Sequence, residues 1–149
     1  MELKSLLVDS KTTWVEFPGL DGFEVELANL SRKELVALRK RCTTNKFNRK
    51  TRAFEEKLDD DKFLIEFTNS TVKGWKNLKL KYLEDLVLVE LGSNDGNTLL
   101  PYTEENAQQL VENSNEFDNW LNEVVFDLDH FRSAEQAKTK GQTGPISKT

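Results

Sequence analysis

Three features of the sequence predict an α+β fold, an N-terminal antiparallel β-hairpin or small sheet followed by four to five helices. Phe23-Glu24-Val25-Glu26-Leu27 alternates apolar and acidic residues, so one face of an extended chain is buried and the other wet. Pro18-Gly19-Leu20-Asp21-Gly22 precedes it with both residues that punctuate a turn, which folds Trp14–Phe17 back against it as a hairpin. Phe117, Trp120, Leu121, Val124, Val125, Leu128 and Phe131 recur at helical spacing, the apolar stripe of an amphipathic helix.

From the N-terminus, Glu2–Val8 is predicted as a strand. After the hairpin, Ser31-Arg32-Lys33-Glu34 is a capping box, in which each end satisfies the other's free amide. Leu35, Val36, Leu38 and Cys42 carry that helix toward Thr43–Asn45. Residues 46–52 read as basic and irregular, and 52–58 as a short strand or an arm. Asp59-Asp60-Asp61 opens a further helix, because carboxylates at an N-terminus satisfy free amides and complement the macrodipole. Phe63, Phe67, Thr71 and Trp75 place one stripe on it, with Gly74 as its terminator. Residues 79–91 hold an apolar run, Leu83 to Leu91, that fits either helix or strand, and its lack of a polar face predicts burial. Gly92–Asn97 is a loop by composition. Thr103 caps a helix with Ala107, Leu110 and Val111 inside. Residues 133–149 contain one large apolar side chain, Ile146, and are predicted to be disordered, leaving 1–132 as a single domain.

A chain of 149 residues buries about two-thirds of its unfolded surface and needs no staple. Its one cysteine permits no internal disulfide and fits a reducing compartment. No stretch approaches the ~20 apolar residues of a membrane span, and the first residues are too few and too charged for a signal peptide. A cytosolic location is the expectation. The net charge of −5 is unevenly spread. Residues 31–52 hold nine basic groups against Glu34, and residues 103–135 hold nine acids against Arg132. That polarity suits head-to-tail association of copies, with Arg39, Arg41, Arg49 and Lys50 of one facing Glu123 and Asp127 of the next. The basic segment 39–54 also interleaves Phe47 and Phe54 with cations, as single-stranded nucleic-acid sites do, although the acidic remainder repels a polyanion.

Catalysis, metals and cofactors are not expected. His130 reads as a helix-terminal residue beside Asp127 and Asp129, and Cys42 as a structural thiol on the apolar side of a helix. Asp59, Asp60 and Asp61 are consecutive and diverge, which suits capping better than metal ligation. Asn94-Asp95-Gly96 lacks the alternating ligands of a calcium loop. No phosphate-cradling glycine loop or dinucleotide fingerprint occurs. Tryptophans and their neighbours belong to the core or to a binding surface, and Trp75, Leu78 and Trp120 are the candidates for contact with a partner protein.

The order of these blocks carries a resemblance. Trp14-Val15-Glu16-Phe17-Pro18-Gly19 and Phe23-Glu24-Val25 lead to Leu30-Ser31-Arg32-Lys33-Glu34-Leu35, then Lys46-Phe47-Asn48-Arg49-Lys50-Thr51. Val72-Lys73-Gly74-Trp75-Lys76-Asn77-Leu78, Pro101-Tyr102-Thr103-Glu104-Glu105-Asn106 and Phe117-Asp118-Asn119-Trp120 follow, ending at Phe131-Arg132. Over residues 10–132 this resembles the tail assembly chaperones of long-tailed bacteriophages. The family's Trp-Lys-Gly-Leu pattern reads Trp75-Lys76-Asn77-Leu78 here, a departure expected to alter one turn.

The resemblance implies a homo-oligomeric protein of the host cytoplasm that is no enzyme. It would bind the long helical tape measure protein, keep its apolar stretches soluble, and be absent from the mature virion. It further implies that this is the shorter product of a programmed frameshift, with the slip near Lys138-Thr139-Lys140-Gly141 and a longer form recruiting tail tube protein. Two other readings compete: a nucleic-acid-binding regulatory protein using residues 39–54, and a structural tail or baseplate subunit.

Overall fold

The structure, a computed structural model, describes residues 1–8 and 11–132. The fold is α+β, and the hairpin forms as its sequence directs. Strands β1 (Thr12–Glu16) and β2 (Glu24–Ala28) pair antiparallel with Val15 opposite Val25. Gly19 and Gly22 take φ of 86° and 80°, a region open to glycine, and the Gly22 N–H donates to Glu16 Oε2 at 3.2 Å. Phe23, Val25 and Leu27 are fully buried, while Glu24 and Glu26 lie on the wetter face.

Before the hairpin, Leu3–Leu6 form a one-turn helix, α1, rather than the predicted strand, and every residue of it is exposed. Among the described residues no strand pairs with this segment, so the local bond from Leu7 N–H to the Leu3 carbonyl, at 3.2 Å, decides its shape.

Helix α2 (Arg32–Arg41) carries the complete capping box: Ser31 Oγ accepts from Glu34 N–H, and Glu34 Oε1 accepts from Ser31 N–H, both at 3.1 Å. It stops at Cys42, and Thr43 begins a strand. β3 (Thr43–Asn48) and β4 (Ala53–Leu58) form a separate antiparallel pair, so the expected irregularity over 46–52 is corrected to a strand and a turn. Asn48 Oδ1 shapes the turn by accepting from the Lys50 and Thr51 N–H groups, at 2.8 and 3.3 Å.

Asp59 caps helix α3 (Asp60–Thr71) by accepting from Lys62 N–H at 3.1 Å. The stripe does not continue to Trp75. The chain leaves the helix at Thr71 and becomes strand β5 (Val72–Lys76), which pairs with the free edge of β2 to give the order β1-β2-β5. Val25 opposite Trp75 and Leu27 opposite Val72 supply ladder bonds and burial that a further helical turn would forgo. Gly74 therefore sits mid-strand opposite Glu26 and terminates nothing. At the end of β5, Asn77 has φ 63°, the left-handed conformation that glycine takes freely and asparagine tolerates. Its Nδ2 donates to the Gly22 carbonyl at 3.0 Å and ties β5 to the hairpin turn. Asn77 thus occupies a backbone shape that glycine would also serve.

Residues 79–91 divide. Helix α4 (Leu80–Leu86) buries Leu83 and Leu86, but residues 87–91 are neither helix nor strand and Leu88 is fully exposed, which corrects the expected burial of the whole run. Helix α5 (Glu104–Asn113) is capped by Thr103, which accepts from Asn106 N–H at 2.9 Å. Helix α6 (Asn115–Val125) is capped by Ser114, which accepts from Phe117 N–H at 3.1 Å. The long final stripe is also interrupted. Phe126 ends α6, and Asp127 Oδ1 accepts from Asp129 N–H at 2.9 Å, starting a fresh helical turn over 128–132. Phe131 is buried as expected, but Leu128 swings out to 56% exposure.

One continuous core runs from Phe17 to Phe131. Phe17 lies 5.9 Å from Phe117 and 4.9 Å from Trp120, which joins the hairpin to α6. Trp75 donates from Nε1 to the Leu100 carbonyl at 2.9 Å and meets Tyr102 edge-on. Among the described residues, no helix is long and apolar enough to cross a membrane. The predicted disorder of 133–149, with the Lys138–Gly141 segment in it, lies outside the described residues.

Candidate functional site

Two surfaces break the usual balance of buried apolar and exposed polar groups. The first is a groove of about 880 Å³ built from three stretches far apart in sequence. Leu6, Leu7 and Val8 form one wall; Leu30, Ser31, Arg32 and Leu35 at the start of α2 form the floor; Phe126, Leu128 and Phe131 form the other wall. Local chemistry explains each. Leu6 ends the exposed one-turn helix α1, and Leu7 and Val8 follow it. The start of α2 is pinned by Leu30 N–H donating to the Val125 carbonyl at 3.2 Å, which brings it to the end of α6. Phe126 packs on Phe67, with ring centres 6.2 Å apart, and the break at Asp127 turns Leu128 outward. Lys11, Arg32 and Arg132 stand around the groove, and Arg132 is already paired with Asp129. Leu6, Leu7, Val8, Phe126 and Leu128 all remain exposed, so the groove presents a contiguous apolar surface to solvent.

The second surface is the β3–β4 ribbon, an arm that leaves the body between α2 and α3. A bond from Asp59 N–H to the Cys42 carbonyl, at 2.7 Å, closes its base, and Lys62 Nζ donates to the Arg41 carbonyl beside it at 3.0 Å. The two strands pack mainly on each other, and nearly every residue of them is exposed. Phe47 faces Phe54 directly across the ribbon with ring centres 5.4 Å apart, and they are 55% and 74% exposed. Such a cross-strand pair stabilises the ribbon, but two aromatic rings left in water at the end of an arm are unusual for an isolated molecule. The arm carries Lys46, Arg49, Lys50, Arg52 and Lys57 against Glu55 and Glu56.

The residues singled out from sequence are scattered by the fold. Trp75 and Leu78 are core residues, and Trp120 is half-buried between Phe17 and Phe117; none of them lines the groove. Arg39 is exposed near the end of α2, and Arg41 Nε is paired with Glu66 Oε1 at 3.1 Å within the chain. Arg49 and Lys50 are at the tip of the arm, apart from both. Glu123 is exposed on α6, and Asp127 is engaged by Asp129 N–H and, at 3.7 Å, by His130 Nε2. The groove residues were not among the candidates. Their signal was there in Leu6-Leu7-Val8, an apolar triplet without the alternation of a half-buried strand, and in Leu128 flanked by two aspartates.

Cys42 is fully buried, and burial pushes its thiol pKa up, with Glu66 adding to the effect. Neither it nor His130 lines the groove. Among the described residues there is no group of three or more His, Cys, Asp or Glu side chains able to hold a metal ion. No protein-family model, no curated protein and no solved structure matches this chain.

Proposed function

We propose that this chain is a tail assembly chaperone of a long-tailed bacteriophage, and that its groove holds an apolar helical stretch of the tape measure protein. The observation that carries the reading is the groove: an open apolar trough about 880 Å³ in volume, lined by leucines and phenylalanines. An amphipathic helix laid into such a trough buries its apolar face through residues at helical spacing. The ordered sequence blocks over 10–132 supply the family. On this reading the chain is the shorter form of a frameshifted pair, acts in the host cytoplasm and is shed before the virion is complete, while the longer form recruits tail tube subunits.

The test is co-expression with a tape measure protein, the client this reading requires. The expected result is a soluble complex with the native chain and at least a tenfold weaker one with Leu128→Asp, an exposed position whose charge disrupts the trough without touching the core. A tape measure protein that is equally soluble alone, or that binds Leu128→Asp undiminished, overturns the reading. Mass spectrometry of purified particles separates a chaperone, expected to be absent, from a structural tail subunit.

A further inference from the structure

We infer that the β3–β4 arm of one copy seats in the groove of a second copy, so that the protein associates head to tail and covers its own client site until a client displaces the arm. The regulatory half rests on the reading of the groove as the client site; the association itself does not.

Four observations carry it. Among the described residues the ribbon has no third strand; a two-stranded ribbon is marginal in water, and this one displays its aromatic pair outward. Among the described residues, an exposed apolar knob and an exposed apolar groove therefore exist on the same molecule. They lie at opposite ends of α2: the groove takes in Ser31, Arg32 and Leu35, whereas the arm starts at Thr43. Ten residues of helix separate them by about 15 Å. The arm extends a further ~20 Å as a six-residue ribbon, and no arm residue lines the molecule's own groove. A second copy has no such constraint.

Glu123, Asp127 and Asp129 stand on the helix end and turn that carry Leu128, but the groove's own charged lining residues are the cations Lys11, Arg32 and Arg132, of which Arg132 is paired with Asp129. Lys11 and Arg32 at the groove answer the arm's Glu55 and Glu56. Because knob and groove are different patches, the contact is heterologous, and each copy offers one of each.

The experiment is a complementation of two variants, followed by sedimentation velocity over a concentration series with no client present. Phe47→Ser/Phe54→Ser removes the knob and keeps the groove; Leu128→Asp spoils the groove and keeps the arm. Arg49→Glu/Lys50→Glu provides a second arm variant that leaves the aromatic pair in place. Unchanged far-UV circular dichroism and melting temperature establish that each is folded. The native chain is expected to gain mass with concentration. Each variant alone should stay monomeric over the same range, and an equimolar mixture of arm and groove variants should form dimers and nothing larger.

A native chain that is monomeric throughout, a mixture that does not dimerise, or arm variants with native mass each overturns the inference. So does an arm that binds a single-stranded oligonucleotide, with binding lost in Phe47→Ser/Phe54→Ser, while the chain stays monomeric. Because client capture is read separately with the native arm or with either arm variant, failure of self-association leaves the client reading intact. Conversely, a groove that takes the arm but no client removes only the regulatory half.

Discussion

Thr68 is fully buried in α3, and its Oγ1 has no hydrogen-bond partner among the described residues, whereas Thr71 donates to the Phe67 carbonyl at 2.8 Å. A desolvated hydroxyl without a partner costs about 1–3 kcal/mol, and valine has the same branched shape without it. Thr68→Val is expected to stabilise the fold by about 1 kcal/mol, seen as a higher urea midpoint at unchanged slope. Loss of stability would mean that the hydroxyl is satisfied in solution. At this scale the sequence was a good guide where a residue's task is local. Ser31, Asp59 and Thr103 are caps because their side chains reach amides three residues on, and nothing distant can overrule that. Trp75 shows the opposite. Its spacing of four from Thr71 continues a helical stripe on paper, but its environment is set by Val25, Tyr102 and Leu100, none of which a local window contains.

Among the elements, α2 connects the two exposed surfaces, so its N-cap bears on both. Ser31→Ala removes the acceptor for Glu34 N–H and is expected to cost about 1 kcal/mol, measured by thermal or urea unfolding; an effect within error would show that water replaces the hydroxyl. The arm was only half legible. Thr-Thr-Asn-Lys-Phe-Asn has no apolar alternation because neither face of β3 is buried against the body, and burial is what writes a period of two into a strand. The groove was legible only as separate fragments. It exists only where α1, the start of α2 and the turn after α6 converge, and each contributes residues that, read singly, look like ordinary strand or helix positions. The break in the last stripe depends on one hydrogen bond, from Asp129 N–H to Asp127, which sequence spacing does not record.

For the molecule as a whole, one buried and one half-buried acid give stability a pH dependence. Burial raises the pKa of the Cys42 thiol, helped by Glu66, and burial raises that of the Tyr102 phenol, helped by Glu104 and Glu26. A group that holds its proton more tightly when folded contributes stability that is fully present below its unfolded pKa. That stability is lost as pH rises through the folded value. With unfolded values near about 8.5 for a thiol and about 10 for a phenol, stability should be level around neutrality and fall from about pH 8.5 upward. Urea midpoints across that range read it, and Cys42→Ala should flatten the first part of the decline. A native curve that stays level to about pH 10 would mean both groups titrate as they do unfolded.

The bond between Cys42 and Asp59 has a consequence for how this chain can change over generations. It joins the end of one helix to the cap of the next across the base of the arm, so the two helices meet whether or not residues 43–58 intervene. The arm is thus an insert in a closed joint. Mutations that lengthen it, shorten it or exchange its chemistry leave the core residues and both helix ends where they are, and a short glycine-containing bridge could replace it altogether. Partner choice can drift there quickly while the fold stays fixed.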